Sequence, residues 1–130
     1  MVAGRRLIAE KMAQYKPVYS YRFDTVPANI TIIYGATHFT EVAYPFPTAN
    51  TLGTRPGDLE LAHLMTSQWA SFIHDWTPNN NGVANATEWP NYANGPKNYV
   101  FDRQNWHTEV DNFRKEPIAF VNNLGLELSH

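Results

Sequence analysis

Val18-Tyr19-Ser20-Tyr21-Arg22-Phe23-Asp24 is the strongest strand signal in this chain of 130 residues. Its alternate aromatic positions place Tyr19, Tyr21 and Phe23 on one face of an extended segment, and aromatic residues favour strands. A single strand is not stable alone in water. The stretch therefore predicts a sheet in which this strand has neighbours.

The clearest helix is predicted for residues 58–76, with Asp58 as its N-cap after Pro56-Gly57. Apolar residues recur there at steps of three and four, namely Leu61, Leu64, Met65, Trp69, Phe72, Ile73 and Trp76. We expect this stripe to face the core. The opposite face, which should meet water, carries Glu60, His63, Ser67, Ser71 and His74.

Two further helices are predicted at the ends of the chain. Residues 3–15 have amphipathic spacing and stop before Pro17, because the residue ahead of a proline avoids the α region. Residues 117–124 begin with a proline, which suits a first helical position. Gly125 is predicted to stand directly after the end of that last helix.

A loop-rich stretch covers residues 25–57, where prolines and glycines break any long element. Only a short extended run at residues 30–34 is expected within it. Long irregular stretches in compact domains usually carry function, so we expect the chemistry of the protein here.

The predicted elements do not complete a sheet. One more short strand is predicted, at residues 99–101, which leaves about three helices around one or two sheet strands. We therefore predict an α/β fold that is incomplete, with residues 1–130 as the later part of a larger domain whose other strands precede them.

Composition excludes several classes of function. The net charge is −2 and the basic residues are scattered, so no cationic surface for nucleic acid is expected. No apolar run is long enough to cross a bilayer. Without cysteine there is no disulfide, thiolate nucleophile or cysteine zinc site. His63 and His74 are too far apart on one helix to share a metal, so neither a metal nor a cofactor is predicted.

Two sequons, which begin at Asn29 and Asn85, are candidate glycan acceptors. They would be modified only if the chain met the secretory pathway.

The strongest candidate for catalysis is His38, in Tyr34-Gly35-Ala36-Thr37-His38-Phe39-Thr40-Glu41-Val42-Ala43-Tyr44-Pro45-Phe46. This string resembles the histidine loop of type B carboxylesterases, lipases and cholinesterases, where Gly-x-x-His-x-x-Glu follows a strand and ends in an aromatic pair. Other segments resemble the family in the same order along the chain: residues 17–24, residues 61–76, Trp89-Pro90-x-Tyr92, residues 99–101 and Ala119-Phe120.

The resemblance implies the C-terminal portion of a serine carboxylic-ester hydrolase of the α/β-hydrolase fold. In that family a Ser-His-Glu triad occurs in the order nucleophile, acid, histidine. His38 is the implied acid-base residue, and Gly35 is expected to allow the tight turn before it. Glu41 could be considered as the triad acid, but the family takes its acid from an upstream loop. The resemblance therefore implies a structural role for Glu41.

No Gly-x-Ser-x-Gly nucleophile elbow occurs in the sequence, so the isolated chain is predicted to be inactive. Its implied partners are the missing N-terminal part of the same domain and a small carboxylic ester. The resemblance implies a secreted full-length parent, whereas the location of this chain by itself stays open. A non-catalytic esterase-like module for adhesion or binding is the alternative, and an upstream elbow without serine would favour it.

Overall fold

A three-stranded sheet lies at the centre of the structure, a computed structural model that describes residues 2–28, 32–47, 52 and 55–127. Its strands are β1 (Ser20–Phe23), β2 (Lys97–Phe101) and β3 (His107–Val110). The helices are α1 (Val2–Met12), α2 (Asp58–Asp75) and α3 (Lys115–Glu127). Single 3₁₀ turns occur at Ile32–Tyr34, Thr40–Ala43 and Tyr92–Asn94. In this part of the chain, no helix combines the length and apolar character needed to cross a membrane.

The strand order is β1-β2-β3, with β1 parallel to β2 and β2 antiparallel to β3. Ser20 lies opposite Asn98, and Phe23 lies opposite Phe101. Parallel neighbours need a long crossover connection, and here the crossover contains both the loop-rich stretch and α2. Both predicted strands are confirmed, and the fold is mixed α/β as expected.

An aromatic cluster between the sheet and α2 forms the core. Trp89 lies at its centre, with its ring centroid 5.2 Å from that of Tyr99 and 5.4 Å from that of Phe101. The Trp89 indole N–H donates to the carbonyl of Ser20 at 3.0 Å, which satisfies its one polar group. The loop that carries Trp89 is thereby fixed to β1.

Alternate side chains of β1 lie on opposite faces of the sheet, as its sequence predicts. Tyr21 points to the α2 face, where its ring centroid is 5.4 Å from that of Trp69. Ser20 points to the α1 face, where its hydroxyl donates to Asn98 Oδ1 at 2.8 Å and accepts from Arg5 at 2.6 Å. α1 and α2 therefore cover opposite faces of the sheet.

A buried charge cluster joins α1 to the end of β3. The Asp111 carboxylate accepts two hydrogen bonds from Arg5 and one from Arg6, each at 2.8 Å. The Tyr92 hydroxyl donates to the same carboxylate at 2.7 Å. Burial by itself would raise the pKa of Asp111. These hydrogen bonds outweigh burial and hold the pKa of Asp111 well below its ordinary value. Burial and then the bond to Asp111 raise the pKa of Tyr92 to about 12.

The apolar stripe of α2 is buried in its first half and exposed in its second. Leu61, Leu64 and Met65 are fully buried, whereas Ile73 and Trp76 are largely exposed. The helix ends at Asp75 as expected, and the left-handed backbone of Trp76 closes it with an N–H bond to the carbonyl of Phe72.

The predicted cap of α2 is wrong. Gly57 is the N-cap, with φ +87, and Asp58 is the first helical residue. A Cβ at Gly57 would lie 2.6 Å from the Arg103 carbonyl oxygen, so only glycine fits. The expected exposure of Ser71 is also wrong, because it is buried and donates to the Thr77 carbonyl at 2.6 Å.

Two other expectations about local structure are wrong, and one strand was not predicted. Ile32–Tyr34 is a 3₁₀ turn and not an extended run, while residues 29–31 lie outside the described part. Gly125 lies inside α3, which continues to Glu127. The strand without a prediction is β3, whose four residues are only partly apolar and pair along one edge of β2.

The outer edge of β1 is unpaired among the described residues, because its one neighbour is β2. A pocket of about 200 Å³ flanks this strand on the α2 face, lined in part by Tyr21, Trp69 and Phe72. A wider groove of about 810 Å³ includes Ile8 and Met12 of α1 and also reaches Tyr21. The sheet is thus open on the side where a further strand could pair.

Candidate active site

The loop that carries His38 leaves β1 at its carboxyl end, and two anchors fix the start of this loop. The Asp24 N–H donates to the Phe101 carbonyl at 3.0 Å. The Thr25 hydroxyl donates to the same carbonyl at 3.1 Å and accepts from the Arg103 N–H at 2.9 Å. Ligands of α/β folds bind beyond the carboxyl ends of parallel strands, so His38 follows the end of the sheet where such sites occur.

A tight turn presents His38. The Thr40 N–H and hydroxyl both donate to the Thr37 carbonyl, at 3.4 and 2.7 Å, which makes His38 and Phe39 the two central residues. Phe39 has φ 75 and ψ −7, the conformation of the third residue in a type II turn. A left-handed conformation costs a residue with a side chain about 1–2 kcal/mol. Gly35, three residues before His38, also has a positive φ of 63, a conformation that glycine adopts without steric cost.

The end of the loop is held by a buried hydrogen-bond network. The Tyr44 ring is buried 5.1 Å from the Phe23 ring, and its hydroxyl donates to Asp58 at 3.0 Å. Burial and then this hydrogen bond raise the pKa of Tyr44 to about 12. The Thr66 hydroxyl of α2 also contacts the Tyr44 carbonyl, at 3.3 Å. β1 and α2 therefore fix the position of the loop six residues beyond His38.

Asp58 is the centre of that network and is fully buried. Besides Tyr44 it accepts from Arg55 Nε at 3.2 Å, and Arg103 Nε lies 3.8 Å away. Arg55 in turn donates to the Val26 carbonyl at 2.6 Å, near the start of the loop. From the sequence, Asp58 is predicted only as a helix cap. Its role as an anchor for the histidine loop depends on contacts that no local pattern reveals.

The His38 side chain is exposed. Within the described residues, no serine is hydrogen-bonded to it, and no hydrogen bond or ion pair joins it to Glu41. The imidazole is therefore accessible to groups that this part of the chain does not supply. That placement agrees with a residue that acts on a ligand at a surface or a domain cleft.

Glu41 lies in the 3₁₀ turn Thr40–Ala43 and is half-buried. Burial raises the pKa of Tyr21, and the negative charge of Glu41 adds to that effect. The structural role that the family resemblance implies for Glu41 stays a prediction.

The remaining candidate residues are scattered. His63 and His74 are exposed on α2, as predicted, and the described residues contain no group of three or more metal-binding side chains. Asn85 is exposed in a turn with φ +60, whereas Asn29 lies outside the described residues.

Comparison with known protein families identifies a match for this chain. The model of the carboxylesterase family matches residues 1–121. This chain belongs to the carboxylesterase family. No individual curated protein matches it by sequence.

Two solved structures are similar to this carboxylesterase-family chain. The crystal structure of EstA from Aspergillus niger superposes with a TM-score of 0.76 at 20% identity, covering 96% of this chain and 26% of EstA. The crystal structure of carboxylesterase EST55 from Geobacillus stearothermophilus at pH 6.2 gives a TM-score of 0.60 at 33% identity, covering 82% of this chain and 22% of EST55. The carboxylesterase-family chain thus spans about a quarter of the length of either structure, and its fold is the corresponding part of theirs.

Proposed function

We propose that this chain contributes the acid-base histidine, His38, to a serine carboxylic-ester hydrolase whose nucleophile and acid lie on polypeptide outside it. The observation that carries the proposal is the turn at Thr37–Thr40, which holds an exposed imidazole in the loop that follows the carboxyl end of β1. Membership of the carboxylesterase family supports an ester as the substrate. Gly35 and the anchored Tyr44 support the loop on either side of His38.

In the proposed reaction a ring nitrogen of His38 accepts the proton of the serine hydroxyl while the serine oxygen attacks the ester carbonyl. The bond to the alcohol oxygen then breaks, and His38 returns its proton to that oxygen. A water molecule repeats the two transfers to release the acid and the free serine. Histidine suits both directions because its ordinary pKa lies close to neutrality.

The unpaired edge of β1 supports the idea that the rest of the domain is needed. A strand added there would lie between the pocket on the α2 face and the groove beside α1. Strands of a parallel sheet that is covered on both faces have nearly continuous apolar sequences, and we expect such a sequence for the added strand. We infer that such a strand from the remaining part of the hydrolase binds at this edge and places a serine within reach of His38.

The isolated chain is expected to be inactive, and a hybrid enzyme tests this. Residues 1–130 would replace the structurally matching segment of the Geobacillus carboxylesterase, and hydrolysis of p-nitrophenyl butyrate would be measured for both proteins. We expect turnover and labelling by a serine-directed fluorophosphonate in the hybrid, and neither in the isolated chain, because the chain has no nucleophile elbow.

Hydrolysis by the isolated chain above the buffer rate, with fluorophosphonate labelling, would contradict the proposal. A hybrid that shows native circular dichroism but no turnover would also count against it. The intact Geobacillus enzyme is the positive control for both measurements.

Asn85 is expected to carry a glycan if the chain passes through a eukaryotic secretory pathway, because its side chain is exposed. Expression behind a signal peptide should give a glycosidase-sensitive band. In a background that carries Asn29→Gln, the shift should disappear with Asn85→Gln and with Thr87→Ala but persist with Thr87→Ser. A protein with Asn85 intact that shows no shift would exclude this site.

A further inference from the structure

Phe39 has a left-handed backbone conformation, which favours glycine, and an exposed side chain, which is more typical of a polar residue. It takes the left-handed position of the turn, and 69% of its surface is accessible. The same loop uses glycine at Gly35, where φ is also positive. Within this chain, neither burial nor backbone preference therefore explains an aromatic side chain at position 39. Strain of this kind is a reason to look for a functional role.

Trp76 is the natural comparison, since it is also exposed and left-handed. Its conformation has an ordinary structural use, because it ends α2 and its N–H bonds to the Phe72 carbonyl at 3.0 Å. Phe39 stands before the 3₁₀ turn Thr40–Ala43, where its carbonyl accepts from the Val42 N–H at 3.4 Å but its side chain makes no capping hydrogen bond. That use involves the backbone alone and gives no reason for an aromatic side chain.

The Phe39 ring lies beside the imidazole of His38, with ring centroids 6.3 Å apart and planes at 59°. In ester hydrolysis the histidine returns its proton to the oxygen of the leaving alcohol. The carbon atoms of that alcohol must then lie next to the imidazole. An exposed aromatic ring at this distance is in a position to cover them.

We propose that Phe39 is a specificity-determining residue that packs against the alcohol portion of the ester and favours esters of aromatic alcohols. The proposal rests on the proposed function of His38 as the acid-base residue. Aromatic pairing and the exclusion of water from two apolar surfaces supply the preference.

The test compares benzyl acetate with methyl acetate in the hybrid enzyme, with acid release followed by titration. Both esters share one acyl group, so their ratio of kcat/KM reports on the alcohol side. Phe39→Asn tolerates the left-handed backbone and removes the apolar ring. We expect it to lower kcat/KM for benzyl acetate about ten-fold and to change methyl acetate by less than about two-fold.

Phe39→Tyr keeps the ring and should keep the preference for benzyl acetate. Phe46→Asn is the matched control, because Phe46 is the other exposed phenylalanine of the loop and is not adjacent to His38. An unchanged ratio in Phe39→Asn, in an enzyme that still requires His38, would overturn the role of Phe39 alone. A rate independent of His38 would overturn the proposed function itself.

A measurement on the chain by itself tests the premise that Phe39 is not structural. Phe39→Asn should leave the thermal midpoint unchanged or raise it by a few degrees, because it relieves strain and loses no burial. A clear fall in the midpoint would show that the Phe39 ring stabilises the fold, and this would overturn the proposal whether or not the hybrid is active.

Discussion

His38→Ala in the hybrid enzyme is expected to lower kcat by about 10⁴- to 10⁶-fold if His38 is the acid-base residue, because removal of a triad member has an effect of this size. KM should change little, since the proposed role of His38 is proton transfer and not substrate binding. The measurement is steady-state hydrolysis of p-nitrophenyl butyrate, with circular dichroism to show that the fold is intact. His38 is exposed, so its loss should not affect packing.

His63→Ala and His74→Ala are the matched controls, because both histidines are exposed and lie on α2. Each should retain nearly full activity.

Glu41→Gln separates the two roles considered for that residue: a structural glutamate predicts a modest loss of activity, whereas a triad acid predicts a loss close to that of His38→Ala. A His38→Ala enzyme with a nearly normal rate would remove His38 from the mechanism.

Asp111→Ala is expected to lower the free energy of unfolding by about 3–5 kcal/mol. The substitution removes the carboxylate partner of Arg6, whose side chain is only 4% exposed. The Arg6 guanidinium would keep a bond to the Phe113 carbonyl at 2.9 Å but would lose its compensating charge. Urea unfolding followed by tryptophan fluorescence measures the change in the free energy of unfolding. A variant that no longer shows a cooperative unfolding transition would have lost the most stability.

Glu109→Gln is the matched control for Asp111→Ala, because Glu109 is also a carboxylate paired with arginine but lies at the surface. It accepts from Arg22 at 2.9 Å, and both side chains are about a third or more exposed, at 32% and 43%. Such pairs contribute about 0–1 kcal/mol. If the two variants lose the same stability, the buried cluster has no special role in joining α1 to β3.

The charge cluster also predicts how stability depends on pH. The folded-state pKa of Asp111 is depressed, so its contribution is fully present above the unfolded-state pKa of about 4 and is lost as pH falls towards the folded-state value. The wild-type chain should therefore lose more stability than Asp111→Ala between about pH 4 and 2. Equal acid sensitivity in both proteins would contradict this assignment.

Local patterns predicted those elements whose signals are local. The alternation of Tyr19, Tyr21 and Phe23 was sufficient for β1, and the three- and four-residue spacing was sufficient for α2. The patterns failed where distant contacts decide. β3 has no clear alternation and exists because β2 offers an edge to pair with. Ile32–Tyr34 has β-branched residues but forms a turn.

The candidate site shows the same division. The string around His38 led to the prediction of a catalytic histidine, which stays a prediction, and of a glycine with special backbone geometry, which agrees with the positive φ of Gly35. Asp58 was interpreted only as a cap, because its bond to Tyr44 joins residues 14 apart in different elements. The link between Arg5 and Asp111 spans 106 residues, which no pattern in a single sequence can indicate. The strain at Phe39 could not be predicted from the sequence either, because glycine usually marks a left-handed turn position and this one is occupied by phenylalanine.

The parallel pairing of β1 with β2 has a consequence for folding kinetics. Ser20 and Asn98 are 78 residues apart in the chain, and their strands cannot pair until the intervening loop has closed. Contacts of high sequence separation slow folding. α2, whose contacts form within one segment, should appear early, and the sheet should assemble late. Aggregation during refolding is therefore expected to compete before that late step, while both edges of β1 and not only its outer edge are unpaired.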